Sequence, residues 1–319
     1  MKRVVVTGAA GFIGANVARR LLDDGYEPTL LTGPGSDCWR LAEVEGSAPV
    51  VQLDLADGDA VATVVSAARP EWILHLAAHG AYSWQTDRAA ILRTNVVGTA
   101  NLLEAARRAN VEAFVNTGSS SEYGLKGTAP AEDDPVEPNS AYAVAKASAT
   151  MLCRHVAAVD GLNVCTLRLY SAYGPWEEPK RLIPALAVEG LHGRFPPLVD
   201  PQTARDFVWV GDIVDAYVLA ARAVHAEPGA VYNVGTGTQT TVGEAAEIAR
   251  SVLGVEAMPR WGSMAARSWD TDCWVADSSK IRQTLNWRPT RGFREGFEEL
   301  ASWFRAKPEL LSYYVTARA

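Results

Sequence analysis

Apolar positions along the chain gather into short continuous runs at 3–7, 28–32, 49–53, 72–77 and 112–117, each the length of a strand. Between them lie stretches at 12–24, 57–68 and 87–109 in which apolar residues recur every three or four positions, the period of a helix with one buried face. In the first helix that face is Phe12, Ile13, Val17, Leu21 and Leu22, and Gly25 is its stop. Another helix, over 140–159, opens after "EPNS", where Pro138 blocks an earlier start and Asn139 or Ser140 can cap it. It feeds "NVCTLRLY", a sixth strand. Strand and helix alternating in this way predict right-handed crossovers and a parallel sheet covered on both faces, an α/β fold.

Beyond Tyr170 the rhythm breaks. Pro175, Pro179, Pro184, Pro196, Pro197 and Pro201 interrupt it, which predicts a smaller, looped region laid over the sheet. From that region the strand-like "DFVWV" (206–210) and "AVYNVG" (230–235) are expected to return to the main domain. The expected division is 1–172 and 173–319, with no internal repeat and no low-complexity tract.

Composition narrows the classes. A chain of 319 residues holds one large domain or two ordinary ones. The net charge of -7, with no compensating run of Lys or Arg, argues against nucleic acid as a partner. No apolar stretch reaches membrane-spanning length, and Gly8 cuts short the run that follows Lys2 and Arg3, so no secretory leader is read there. Cys38, Cys153, Cys165 and Cys273 are scattered without a C-x-x-C pair, the pattern of isolated thiols in a reducing compartment. The expectation is a cytoplasmic protein with no metal site.

The first strand stops at "TGAAGFIG", which puts Gly8, Gly11 and Gly14 between a strand and an amphipathic helix. Gly8 suits the turn, Gly11 lets a pyrophosphate reach the backbone, and Gly14 lets helix and strand pack closely. Phosphates would then meet the positive end of the helix and its unpaired N–H groups. A second signal is independent: in "YAVAK", Tyr142 and Lys146 lie one turn apart on a helix face. A phenol with a pKa of about 10 is a poor base at neutral pH, and an ammonium one turn away is expected to lower it. Ser119 stands upstream at the end of the fifth strand.

Together these segments resemble the extended short-chain dehydrogenase/reductase family, in particular its nucleotide-sugar epimerases, dehydratases and reductases. The resemblance runs in order through "TGAAGFIG", "LDLAD", "HLAA", "TNVVGT", "GSSSEYG", "YAVAK", "RLYSAYGP", "RDFVWVGD" and "YNVGTG", almost the whole chain. It implies a Rossmann-type doubly wound parallel sheet with a smaller C-terminal α/β substrate-binding region, a nucleotide-diphosphate sugar substrate, an NAD or NADP cofactor and a homodimer paired through the helices at 87–109 and 140–159. Ser119, Tyr142 and Lys146 would form the catalytic triad: Ser119 bonding the reacting oxygen, Tyr142 moving its proton, Lys146 also holding the nicotinamide ribose. Cofactor contacts are implied at Gly8, Gly11, Phe12, Ile13, Gly14, Thr32, Arg40, Asp54, Leu55, Leu76, Ala77, Ala78 and Asn95, with Asp54 accepting from the adenine amino group. Substrate contacts are implied at His79, Tyr82, Ser120, Ser121, Ser171, Arg205 and Arg267, the two arginines against the pyrophosphate.

Departures from the family pattern bear on the reaction. Sugar 4,6-dehydratases of the family carry acidic residues just after the catalytic Ser or Thr, where this chain has Ser120 and Ser121; Glu122 is one place off. Dehydration is therefore disfavoured, leaving hydride transfer at C4 by an epimerase or a ketoreductase, with a non-catalytic dinucleotide sensor as the alternative from another class. At the end of the second strand Thr32 replaces the usual acidic residue, and Ser36 and Arg40 could receive a 2′-phosphate, which tilts the expectation towards NADP. Ser171 stands where many relatives have Asn, and "HGAYSW" brings His79, Tyr82 and Trp84 to the hexose side. The tryptophans Trp261, Trp269, Trp274 and Trp287 are read as core and lid packing.

Overall fold

Seven strands form one all-parallel sheet in the computed structural model, which describes residues 2–264 and 271–318. The first half of the chain supplies β1 (Arg3–Thr7), α1 (Phe12–Asp23), β2 (Glu27–Thr32), β3 (Val50–Gln52), α2 (Gly58–Ala68), β4 (Trp72–His75), α3 (Arg88–Leu92), α4 (Gly98–Arg108), β5 (Ala113–Ser119), α5 (Ala141–Asp160) and β6 (Val164–Leu169). The second half supplies β7 (Ser171–Tyr173), α6 (Leu182–Leu191), β8 (Ala204–Arg205), β9 (Phe207–Trp209), α7 (Val210–Ala223), β10 (Val231–Val234), β11 (Thr240–Thr241), α8 (Val242–Leu253), α9 (Ser279–Thr284), α10 (Phe293–Ala306) and α11 (Pro308–Arg318). The sheet order is β3-β2-β1-β4-β5-β6-β10, the Rossmann-like arrangement, and it reverses direction between β1 and β4.

Pleat alternation builds a core on each face. Val4 and Val6 of β1 pack with Leu30, Leu74, Val115 and Leu167 under α1 and α7, whereas Val5 packs with Leu31, Ile73, Phe114 and Val164 under α2, α4 and α5. β5 and β6 are buried along their whole length, as strands covered on both faces must be. Ser140 caps α5, its side chain accepting from the Ala143 N–H at 3.1 Å.

Two expectations need correction. The 87–109 stretch is not one regular helix: a wider π-type turn over Arg93–Val97 joins α3 to α4. The strand in "DFVWV" is not one of the seven: β9 pairs in parallel with β7 in a separate two-stranded sheet, while β10 joins the main one. Nor is the region beyond Tyr170 mainly loop. α6, α8, α10 and α11 enclose a third core around Tyr173, Ile183, Phe207, Trp209, Phe297 and Phe304. Pro184 sits inside the first turn of α6 and Pro308 opens α11, sites where a missing N–H costs nothing. Among the described residues no helix is long and apolar enough to cross a membrane.

Candidate active site

The turn after β1 is shaped to receive a ligand's phosphates. Gly8 has φ +67, and a Cβ there would stand 2.6 Å from the Ala77 N atom. At Gly14 a Cβ would run into the Gly8 carbonyl, so the start of α1 can lie against the loop only without one. Gly11 is the extended N-cap of α1; no side chain caps it and the first turn holds no acidic residue. The N–H groups of Phe12 and Ile13 thus open the positive end of the helix, a fit for a dinucleotide pyrophosphate. The neighbouring loop after β4 is fixed by Thr7, whose Oγ1 accepts from the Leu76 and Ala77 N–H groups at 3.1 Å each; Ala78 beyond them is exposed. Thr7 also meets His75 Nδ1 at 2.8 Å, and Thr99 meets Nε2 at 2.9 Å. Burial first, and the charge of Lys146 second, push His75 down to about 3, so its ring stays neutral.

On the adenosine side, Thr32 is buried at the end of β2. Asp54 accepts from the Ala56 N–H at 2.9 Å and from Arg93 at 2.7 Å, and Leu55 packs against Gly98. Arg40 departs from expectation. Its guanidinium is 7% exposed, donates to the Trp176 carbonyl at 2.6 Å, to Glu178 at 3.2 Å and to the Ala10 carbonyl at 3.5 Å, and lies 4.3 Å over the Trp39 ring. A guanidinium so committed is a strut between the glycine turn and the loop after β7, not a free cation for a phosphate.

Ser119, Tyr142 and Lys146 converge at the carboxyl end of β5. Ser119 is the last residue of that strand, and its Oγ donates to Ser121 Oγ at 3.0 Å. Tyr142 lies in the first turn of α5, half-buried, where its phenol feels Ser119. One turn on, Lys146 is buried and donates to the Thr117 carbonyl at 2.7 Å. The expected lowering of the phenol is not seen. Burial pushes Tyr142 up to about 12, with Ser119 opposing, and pushes Lys146 down to about 8, with Glu122 opposing. In the protein alone, desolvation outweighs the neighbouring cation.

The remaining residues come from several elements. Asn95, fully buried in the wide turn, clamps the backbone of His79: its Oδ1 accepts from the His79 N–H at 2.9 Å and its Nδ2 donates to the His79 carbonyl at 2.7 Å. Tyr82 stacks on Trp84 with ring centroids 4.7 Å apart. Ser120 opens onto a small cavity walled by Tyr123, Tyr170, Cys273 and Trp274. Ser171 begins β7 beside it, and Arg205 of β8 lies over the Trp274 ring at 5.5 Å and donates to the Ala204 carbonyl. Arg267 and Trp269 lie outside the described residues. Sequence reasoning missed Arg181, whose charge reaches both Tyr142 and Tyr82, and its partner Glu177 at 3.5 Å, a buried carboxyl with one unpartnered oxygen. Nothing in a run such as "GPWEEPKR" distinguishes these two from solvated loop charges.

The chain is similar to known proteins over most of its length. The model of the NAD dependent epimerase/dehydratase family matches residues 4–235. A UDP-glucose 4-epimerase of Mycolicibacterium smegmatis is 32% identical, with 96% of this chain and 100% of that one covered. A dTDP-glucose 4,6-dehydratase of Streptomyces griseus is 31% identical over 94% of this chain and 93% of its own. Among solved structures, the Thermus thermophilus UDP-glucose 4-epimerase complex with NAD superposes with a TM-score of 0.85 at 30% identity, covering 96% of this chain and 99% of that one.

Proposed function

The chain belongs to the NAD dependent epimerase/dehydratase family, and on that footing we propose that it acts at C4 of a nucleotide-linked hexose as a 4-epimerase. The observation that carries this reading is the fate of the carboxylates around Ser119. Dehydration needs an acid and a base at C5 and C6, and the two residues after Ser119 are serines. The next residue, Glu122, is fully buried and paired with Arg168 at 2.9 Å. No carboxylate in the turn after Ser119 is free to work on the sugar.

When bound, the nicotinamide supplies a hydride acceptor and donor at C4. The chain's own residues do the rest. Ser119 orients the O4 hydroxyl, and Tyr142 takes its proton and later returns it. Lys146, with one N–H spent on the Thr117 carbonyl, keeps others for the cofactor ribose and the phenol. An epimer results when the ketone turns over before the hydride returns. The burial of Arg40 favours NAD, since it removes the guanidinium that a 2′-phosphate would need.

Within this reading residues 1–172 hold the dinucleotide and 173–319 contribute the nucleotide-sugar side, with Arg205 against the pyrophosphate and His79, Tyr82, Ser120, Ser121 and Ser171 around the hexose. The test is direct. Mass spectrometry of cofactor carried through purification should find NAD, and UDP-, dTDP-, CDP- and GDP-hexoses should be screened by NMR for C4 epimers. Empty protein that oxidises NADPH with a 4-keto sugar would make it a ketoreductase instead.

A further inference from the structure

Glu122 sits in the one-turn 3₁₀ segment Ser120–Tyr123 between β5 and α5, with no exposed surface. Its Oε1 accepts from the Ser119 N–H at 2.8 Å and from the Thr150 hydroxyl of α5 at 3.1 Å. Its Oε2 accepts from Arg168 Nε of β6 at 2.9 Å. Ser119 reciprocates, its Oγ accepting from the Ser121 N–H, so serine and glutamate cap the turn together. Arg168 is held in turn by the Tyr123 hydroxyl at 2.8 Å and the Glu132 carbonyl at 3.1 Å. The backbone makes room for the carboxylate: a Cβ at Gly118 would stand 2.7 Å from Oε1.

A buried ion pair is weak evidence of a stabilising role, because apolar residues of similar volume commonly do as well or better. What sets this pair apart is its direction. The oxygen turned to the catalytic serine and to α5 is not the one paired with Arg168, so the negative end of the pair faces the helix that carries Tyr142 and Lys146. We propose that Glu122 is a positioning residue of the active site, one carboxylate that fixes the backbone of Ser119, ties it to α5 and supplies the counter-charge for Lys146. This rests on reading Ser119, Tyr142 and Lys146 as the catalytic groups, and not on the identity of the sugar.

The charges around it agree. Glu122 opposes the burial that lowers Lys146, and it adds to the burial that raises Tyr142. The other titratable groups facing this cluster are Arg168 from β6, Cys153 from α5, Tyr123 from the turn, Glu132 from the loop before α5, and His75 of β4, which feels Lys146. Arg168 is the one permanent cation among them, and it contacts the far oxygen.

The chain has six lysines, so ¹³C labelling at Cε gives a spectrum in which Lys146→Arg assigns the Lys146 signal. Glu122→Gln keeps an acceptor for the Ser119 N–H and removes the charge. The Lys146 midpoint should then fall by about one pH unit, the size expected when one nearby opposite charge is removed. Glu122→Gln with Arg168→Met removes the whole pair without leaving a lone buried cation, and should give a fall in the same direction. Thr150→Val deletes a hydrogen bond but no charge, and should leave the midpoint in place. An unchanged midpoint in both Glu122 variants would overturn the proposal. Loss of the fold in both would also overturn it, making Glu122 a folding residue. The titration needs no sugar, so a shifted lysine in a chain without C4 activity would overturn the proposed function alone.

Discussion

Tyr142 and Lys146 sit one helical turn apart, and burial has moved them in opposite senses, the phenol up to about 12 and the ammonium down to about 8. If Tyr142 is the base of the proposed reaction, proton transfer at O4 would need further positive charge near the phenol, which an oxidised nicotinamide would supply. Tyr142→Phe should keep NAD binding and lose about 10²–10⁴-fold in turnover, and steady-state kinetics with a binding titration separate the two. A near-normal rate would remove Tyr142 from the mechanism. Glu177 gives a pH prediction. Burial raises its carboxyl from 4.5 to about 8, with Arg181 opposing. The folded form then holds the proton more tightly than the unfolded one, so its stability contribution is full below about 4.5 and is lost as pH rises through about 8. Glu177→Gln should stabilise the protein by about 1–3 kcal/mol at pH 9 and much less at pH 5, measured by denaturant unfolding. Ser119, Tyr142 and Lys146 were legible in the sequence because their types and spacing are themselves the signal. The burial of Arg40 was not, since a lone arginine beyond a strand reads alike whether it meets phosphate or the Trp176 carbonyl.

At the scale of elements, the strand–turn–helix at the N-terminus carries the cofactor expectation. The strand expected at 3–7 is β1 as it stands, because Val4, Val5 and Val6 are buried on alternating faces and Gly8 must follow with positive φ. Gly14→Ala should drive α1 off the Gly8 carbonyl and weaken dinucleotide binding by at least tenfold, read by calorimetry with NAD; unaltered affinity and melting temperature would contradict the close approach. Periodicity leaves open what pairing partners decide. β9 alternates with Phe207 and Trp209 towards one core and Val208 towards another, which suits either sheet, and only its neighbour β7 settles the matter. The 87–109 stretch kept its helical period but could not reveal the wide turn that carries Asn95 to His79.

For the whole molecule, the subunit leaves Leu92 and Val97 exposed beside α4, and Val144, Met151 and Val159 exposed along α5. Ala145 and Ala149 on the same helix are buried within the subunit. Two-fold pairing through α4 and α5 would cover the exposed positions. Light scattering should give twice the mass of one chain, and Met151→Glu should shift it towards the monomer; a monomer of the unmodified protein at micromolar concentration would contradict the pairing. The central claim concerns the reaction. The four nucleotide hexoses should be incubated with the protein and NAD in heavy water, and the products followed by NMR and mass spectrometry. With Ser120 and Ser121 after Ser119 and Glu122 locked onto Arg168, the expected result is C4 inversion of one sugar, no deuterium at C5 and no 4-keto-6-deoxy product. Deuterium at C5 together with loss of the C6 hydroxyl would contradict it, for the enzyme would then be a dehydratase.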